Sequence, residues 1–244
     1  MDFIYLDPAR RDEHGSRTYA IEDCTPNVFE LRDLLLAKSQ YTLVKLSPML
    51  DWRKAVADFD GTVREVHIVA TGNECKELLL VLGQQVHEEP SAPRVFCVND
   101  NQRIDYDSAA YTQGLRIGGK PLPEAKNYLY EPNASIMKAG CFDLVEERFG
   151  VTQVGPSSHL FVSATPVADF PGRGFAIEAI GGMNKKDIKR LLNGTKQANI
   201  AVRNFPLTAP QLRKKLKLAD GGPVYLFGTT MQGCGHVLLR TSKI

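Results

Sequence analysis

Residues 1–6 (MDFIYL) form an apolar run, and the next hundred positions alternate between two hydrophobic periods. Residues 41–46 (YTLVKL), 63–70 (VREVHIVA) and 94–98 (RVFCV) are short, β-branched-rich stretches that predict strands. Residues 1–6 predict the opening strand, and between it and 41–46, Val28, Leu31, Leu34 and Leu35 recur at helical spacing within residues 26–39, where Pro26 suits a first helical turn. Residues 52–59 predict a short helix ended at Gly61. Residues 74–82 predict another helix, entered through Thr71-Gly72-Asn73 and stopped by Gly83. Asn99-Asp100-Asn101 predicts a turn. Strand and helix in regular alternation predict a doubly wound α/β sheet covered on both faces. Its first strand would be an edge, open to pairing with another segment or chain near Met1.

The pattern changes after residue 105. Gly114, Gly118, Gly119, Pro121 and Pro123 break regular structure, and Glu131-Pro132-Asn133 introduces a helix with the apolar stripe Ile136, Ala139, Leu144 and Val145. Gly150 ends that helix, and residues 159–164 (HLFVSA) predict a strand. From residue 174 the order is βαβαββ: a strand at 175–180, a helix at 185–192, a strand at 198–202, a Thr208-capped helix at 209–218, and a hairpin built from 224–229 and 236–241. The expected organisation is therefore three parts, 1–105, 106–173 and 174–244.

Charge changes that picture more than composition does. Residues 1–173 hold 18 Lys+Arg and 25 Asp+Glu, whereas residues 174–244 hold 12 Lys+Arg against 3 Asp+Glu. A basic surplus of nine in the last part points to a polyanion, with nucleic acid the expected partner, or to a solvated basic face without one. Lys185, Lys186, Lys189 and Arg190 fall on one predicted helix, and Arg213, Lys214, Lys215 and Lys217 on or at the end of the other. Tyr225 and Phe227 alternate along a strand, where they either stack bases or belong to the core. The five cysteines lack a C-x-x-C pair and the five histidines are dispersed, so neither a disulfide framework nor a metal site is expected, and the thiols are expected to be free and buried. No apolar run approaches the roughly 18 residues of a membrane span, and the start lacks a signal-peptide pattern. The expected compartment is the cytoplasm, with no membrane partner.

The chemistry-bearing residues gather at predicted strand ends, where open α/β sheets place their ligands. Asp7 follows the first strand and Pro8 stiffens the turn after it, with Arg10 close behind. Lys45 and Ser47 end the second. Arg10 and Lys45 could hold a phosphate while Asp7 faces the reacting group. Alternatively, Asp7 caps a turn and pairs with Arg10 or Arg11.

Asp7-Pro8-Ala9-Arg10-Arg11 resembles the substrate-side motif of class I S-adenosylmethionine-dependent methyltransferases. With Gly72-Asn73-Glu74-Cys75-Lys76-Glu77-Leu78-Leu79, it resembles the second half of that Rossmann-like domain in a group of bacterial methyltransferase-like proteins. Tyr128-Leu129-Tyr130-Glu131-Pro132-Asn133 resembles their small ferredoxin-like insert. Phe175-Ala176-Ile177-Glu178, Asn184-Lys185-Lys186, Lys189-Arg190-Leu191-Leu192 and Gln211-Leu212-Arg213-Lys214-Lys215-Leu216 resemble their C-terminal THUMP-like domain. The resemblance implies catalytic roles for Asp7, Pro8 and Arg10 in aiming a target amine. It also implies S-adenosylmethionine as cofactor of the complete protein and RNA as substrate or partner. The family's glycine-rich cofactor half has no counterpart in this sequence, so tight cofactor binding by this chain alone is not expected. Ala9 stands where an aromatic base-stacking residue is usual. Ser47 stands where uridine-C5 enzymes need a cysteine nucleophile, which excludes that mechanism. A non-catalytic RNA-binding module on a residual scaffold is the alternative, and a purely structural protein a third reading.

Overall fold

The computed structural model describes residues 2–9, 21, 24–84, 92–110, 122–124 and 126–244. They form two compact units, Met1–Thr112 with Ala134–Gly140, and Gln113–Asn133 with Cys141–Ile244.

The first unit is a mixed six-stranded sheet with helices. Its strands are β1 (Phe3–Leu6), β2 (Tyr41–Leu46), β3 (Val63–Thr71), β4 (Glu74–Gly83), β5 (Arg94–Asn99) and β6 (Gln102–Asp107), in the spatial order β1-β2-β4-β3-β5-β6. β1 pairs parallel with β2, and β3 with β5; the β2–β4, β3–β4 and β5–β6 pairs are antiparallel. Helix α1 (Val28–Lys38) starts where the Asn27 side chain accepts hydrogen bonds from Phe29 N and Glu30 N, and α2 (Trp52–Asp58) starts at Asp51 in the same way. Val28, Leu35, Trp52, Ala55 and Phe59 are buried, as are Val44, Val66, Ile68, Leu78, Leu80 and Leu82 of the strands. The alternate strand positions are exposed or half-buried. Phe3 (54% exposed), Tyr5 (53%) and Tyr41 (44%) lie together on that side of the β1–β2 ladder.

The expected helix over 74–82 is instead strand β4. The run Leu78–Leu82 is apolar at every position, and such a run fits a buried strand as well as a buried helix. The turn decides between them. Gly72 (φ +56) and Asn73 (φ +62) are both left-handed, and Thr71 pairs with Glu74, the geometry of a two-residue hairpin. Asn73 Oδ1 also accepts the Ala134 N–H at 2.8 Å, capping the short helix α3 (Ala134–Ala139). At its other end, the Ala139 carbonyl accepts from Trp52 Nε1 (3.3 Å) and Arg53 Nη2 (3.0 Å). The sheet is therefore mixed, with a strand at Glu74–Gly83 where the hydrophobic pattern predicts a helix.

The second unit holds a seven-stranded sheet in the order β11-β12-β13-β10-β7-β9-β8. Its elements are β7 (Tyr128–Pro132), α4 (Phe142–Phe149), β8 (Thr152–Gln153), β9 (Phe161–Ser163), β10 (Gly172–Gly181), α5 (Lys185–Leu192), β11 (Asn199–Arg203), α6 (Ala209–Leu216), β12 (Val224–Met231) and β13 (Gly235–Lys243). The single helix expected after Asn133 is two, because Gly140 adopts φ +67 and interrupts it. From β10 onward the βαβαββ order is present. Thr208 and Gln211 form a capping box at α6, and Asn184 caps α5. Leu191, Leu212 and Leu216 of these helices pack with Leu226 and Leu238 on one face of the sheet. On the other face Phe175, Phe227, Leu239 and Leu129 pack with Val154 and Leu160 of the 154–160 loop. The 128–171 segment and the βαβαββ segment share this sheet through the antiparallel β7–β10 pair.

That seam is tight. A Cβ on Gly172 would lie 2.1 Å from the Glu131 carbonyl oxygen and 2.9 Å from Pro132 Cα, both backbone atoms that move only with the strand. Gly172→Ala is expected to destabilise the chain by about 1–3 kcal/mol, as overpacking does, measured as a lower urea midpoint with unchanged slope. An unchanged midpoint would show that the seam yields freely.

Candidate functional site

Parallel pairing of β1 with β2 sets Leu6 opposite Val44, so Asp7 and Lys45 emerge side by side at the carboxyl ends of two strands. Lys45 Nζ donates to Asp7 Oδ2 at 3.1 Å and lies 3.6 Å from Glu77 Oε1. The hydrogen bond to Asp7 is the main cause of a Lys45 pKa above the ordinary lysine value. Partial burial opposes the rise, and the charges of Glu77 and Asp7 add to it. The ammonium is thus shared between two carboxylates, and these three residues carry one net negative charge. Lys45 is therefore committed to Asp7 rather than held out for a phosphate. Glu77 Oε2 is buried without a partner among the described residues.

Pro8 is buried behind Asp7, while Arg10 lies outside the described residues. Ser47 is buried, and its hydroxyl accepts the Met49 N–H at 3.3 Å, so it caps a local turn. Glu77 was hidden from sequence reasoning by the helical reading of residues 74–82. On a strand, it stands two residues from Leu79, which faces Lys45 across the ladder. The Gly-Asn dipeptide between two apolar runs is the signal that would have revealed it. Cys75 is half-buried on the same strand, and burial raises its thiol pKa while Lys138 lowers it. A thiol held in its neutral form is a poor nucleophile. Asp100, at the end of β5, takes the Thr71 hydroxyl at 2.7 Å and the Gly72 N–H at 3.1 Å; these bonds hold its pKa below the usual carboxylate range and brace the hairpin.

The second candidate surface is basic. Both α5 and α6 cover the same face of the second sheet, so their outward positions look the same way. Lys185, Lys186 and Lys189 on α5 and Lys214 on α6 are exposed. Arg190 is also exposed, but it donates to the Ile180 carbonyl at 2.7 Å and pairs with Asp187 at 3.2 Å. Arg213 is further committed: Nη1 donates to the Ala198 and Ala219 carbonyls, both at 2.9 Å, and Nη2 lies 2.5 Å from Asp220. Tyr225 and Phe227 pack against Phe175, with ring centroids 5.1 and 4.9 Å away, and so belong to the core. Cys24, Cys97 and Cys141 are buried and take part in no disulfide. Cys75 is half-buried and Cys234 exposed, so the expectation of burial fails for these two. Among the described residues, no three His, Cys, Asp or Glu side chains are grouped to hold a metal, and no helix is long and apolar enough to cross a membrane.

Comparison with known proteins places these units. Residues 128–171 match the model of a ferredoxin-like domain, and residues 172–243 match a THUMP domain-like family. The chain ends in a THUMP-like domain. Over 99% of its length, the chain is similar to a solved structure of a "putative methyltransferase" from Porphyromonas gingivalis, at 35% identity and a TM-score of 0.85. It spans 59% of that neighbour's length. No curated protein matches the chain. In sequence the THUMP-like segment follows the ferredoxin-like one, and the boundary between the two family matches falls at the β7–β10 seam.

The Asp7–Lys45 pair is expected to contribute little to the fold, because both side chains are partly exposed (46% and 25%) and such pairs are worth about 0–1 kcal/mol. Asp7→Ala should therefore leave the thermal midpoint within about 3 °C of the parent, since 1 kcal/mol moves a domain of this size by roughly 2–4 °C. A large drop would make Asp7 a structural residue.

Proposed function

We propose that this chain is the C-terminal portion of an S-adenosylmethionine-dependent methyltransferase-like protein that acts on RNA in the cytoplasm. Similarity over 99% of its length to a chain described as a "putative methyltransferase" carries the reading. Two features of the site support it. Asp7 and the carbonyl-bearing turn at Pro8 sit at a strand end, where a target amine could donate to them and keep its lone pair aimed at a methyl donor, an effect of positioning. The negative balance of Asp7, Lys45 and Glu77 suits a target amine better than a phosphate. In this reading, the cofactor is held by a region equivalent to the part of the neighbour that this chain does not span. The chain alone is then expected to bind S-adenosylmethionine weakly or not at all, and tight binding by calorimetry would contradict that. Arg10, the remaining member of the motif, would contribute to substrate positioning.

The RNA would meet the outward face of α5 and α6. Lys185, Lys186, Lys189 and Lys214 are the contacts proposed for its phosphates, with Arg190 and Arg213 bracing the helices that present them. Ala9 in place of a base-stacking aromatic favours the second reading, a non-catalytic RNA-binding module in which the Asp7 sheet is scaffold.

Two measurements separate the readings. With Lys185, Lys186 and Lys189 all changed to Ala, RNA affinity should fall, and the slope of log K against log salt should shrink by roughly 2, at about 0.7 per phosphate contact on a single strand. Unchanged RNA retention would remove both readings. Methyl transfer to RNA, measured after adding the upstream cofactor half, should disappear in Asp7→Ala if the protein is an enzyme. RNA binding without any methyl transfer would leave the binding module.

A further inference from the structure

Glu131 lies on β7, and its side chain is only 3% exposed. A carboxylate buried to that degree must be paired. Glu131 Oε2 accepts from Arg173 Nε (3.0 Å) and Nη2, and Oε1 accepts from Arg203 Nη2 at 2.8 Å. Arg173 is its direct partner across the β7–β10 ladder. Arg203 ends β11, separated from β7 by three strands in the sheet order, so the sheet curls enough for this contact to close. One buried negative charge thus fixes two guanidinium groups whose side chains remain 45% and 39% exposed, leaving a net positive charge at the surface.

A clamp that only tied strands together would have its polar atoms satisfied, since nearly all buried polar groups are. Three here are not, among the described residues. Arg203 Nε is buried without a partner, as is Oγ1 of Thr229, the residue paired with Arg203 between β11 and β12 and itself 0% exposed. His159 Nδ1 is the third. His159 is held in the left-handed region at φ +51 and stacks on Phe142 with ring centroids 4.4 Å apart. Strained backbone of this kind gathers at ligand sites. Burial, with the charge of Arg203 adding to it, lowers the His159 pKa below its ordinary value, so the imidazole is neutral at pH 7 and can accept or donate one hydrogen bond at Nδ1.

We propose that Arg173 and Arg203, fixed by Glu131 and flanked by His159 and Thr229, form a binding site for one phosphoryl anion. Planar guanidinium groups whose orientation is already paid for match the oxygen geometry of a phosphate better than flexible lysines do. The site lies on the β7–β10–β11 side chains of the sheet face opposite α5 and α6, and so is distinct from the lysine surface proposed above.

The test is an NMR titration of the intact chain with inorganic phosphate, following the arginine Nε–H resonances at constant ionic strength. Those of Arg173 and Arg203 should shift saturably, whereas that of Arg213, bound to backbone carbonyls, should not. Arg173→Lys and Arg203→Lys should each weaken phosphate at least tenfold. If Arg203→Lys fails to fold, Arg173→Lys carries the comparison. A nucleoside 5′-monophosphate and a dinucleoside monophosphate distinguish a terminal phosphate from a backbone phosphodiester, the tighter of the two naming the source. Shifts that do not saturate, that equal those of Arg213, that persist in both lysine variants, or that neither nucleotide reproduces would overturn the site. Because the probe is phosphate and the readout two arginines, a negative result leaves the lysine-surface reading intact. Changing Lys185, Lys186 and Lys189 to Ala should leave the titration unchanged.

Discussion

Gly72 and Asn73 both occupy left-handed backbone, and between them the chain reverses in two residues. Much of the first unit follows from that reversal. It lays β4 antiparallel between β2 and β3, so that Leu78, Leu80 and Leu82 face the core and Glu77 comes within reach of Lys45. It also points the Asn73 side chain at the first N–H of α3, whose C-terminal carbonyl is held by Trp52 and Arg53. Asp100 braces the same turn from the end of β5 by accepting from Thr71 and Gly72. A β-branched residue at either turn position would meet the steric penalty of positive φ, and the strand order would lose its local specification.

The two units carry opposite electrostatic characters. At the ends of β1 and β2, two carboxylates surround one ammonium, an arrangement that receives a cationic or hydrogen-donating group more readily than a phosphate. In the second unit, exposed lysines lie on the helical side of the sheet and a pair of braced arginines on the other. The division matters physically because exposed lysines supply affinity that salt screens, whereas an arginine fixed by a buried carboxylate supplies geometry.

Arginine in this chain is used repeatedly as an internal brace. Arg240 donates to the Leu191 and Leu192 carbonyls and to Glu178, tying β13 to the end of α5, and it holds the Glu178 carboxyl below its usual range. Arg213 joins α6 to the starts and ends of neighbouring segments, and Arg190 returns to the end of β10. The orphan carbonyls at helix ends need donors, and the guanidinium fork reaches several at once. A count of basic residues in 174–244 therefore overstates the charge available to a polyanion.

Local pattern alone determined most of the strands and helices: alternation and apolar runs marked β2, β3 and β5, and capping residues with turn glycines marked α5, α6 and the β12–β13 hairpin. It also determined that Asp7 and Lys45 would stand at neighbouring strand ends, because a parallel pair leaves that placement little freedom. Tertiary structure decided what depends on distant partners. The Leu78–Leu82 run is equally apolar as helix or strand, and only pairing with β2 and β3 settles it. That 128–132 forms a strand in the same sheet as the last seventy residues follows from contacts with β10, which no local period encodes. Glu131 meets Arg203 across 72 positions of sequence, and curling of the sheet, a property of all its strands together, brings them into contact.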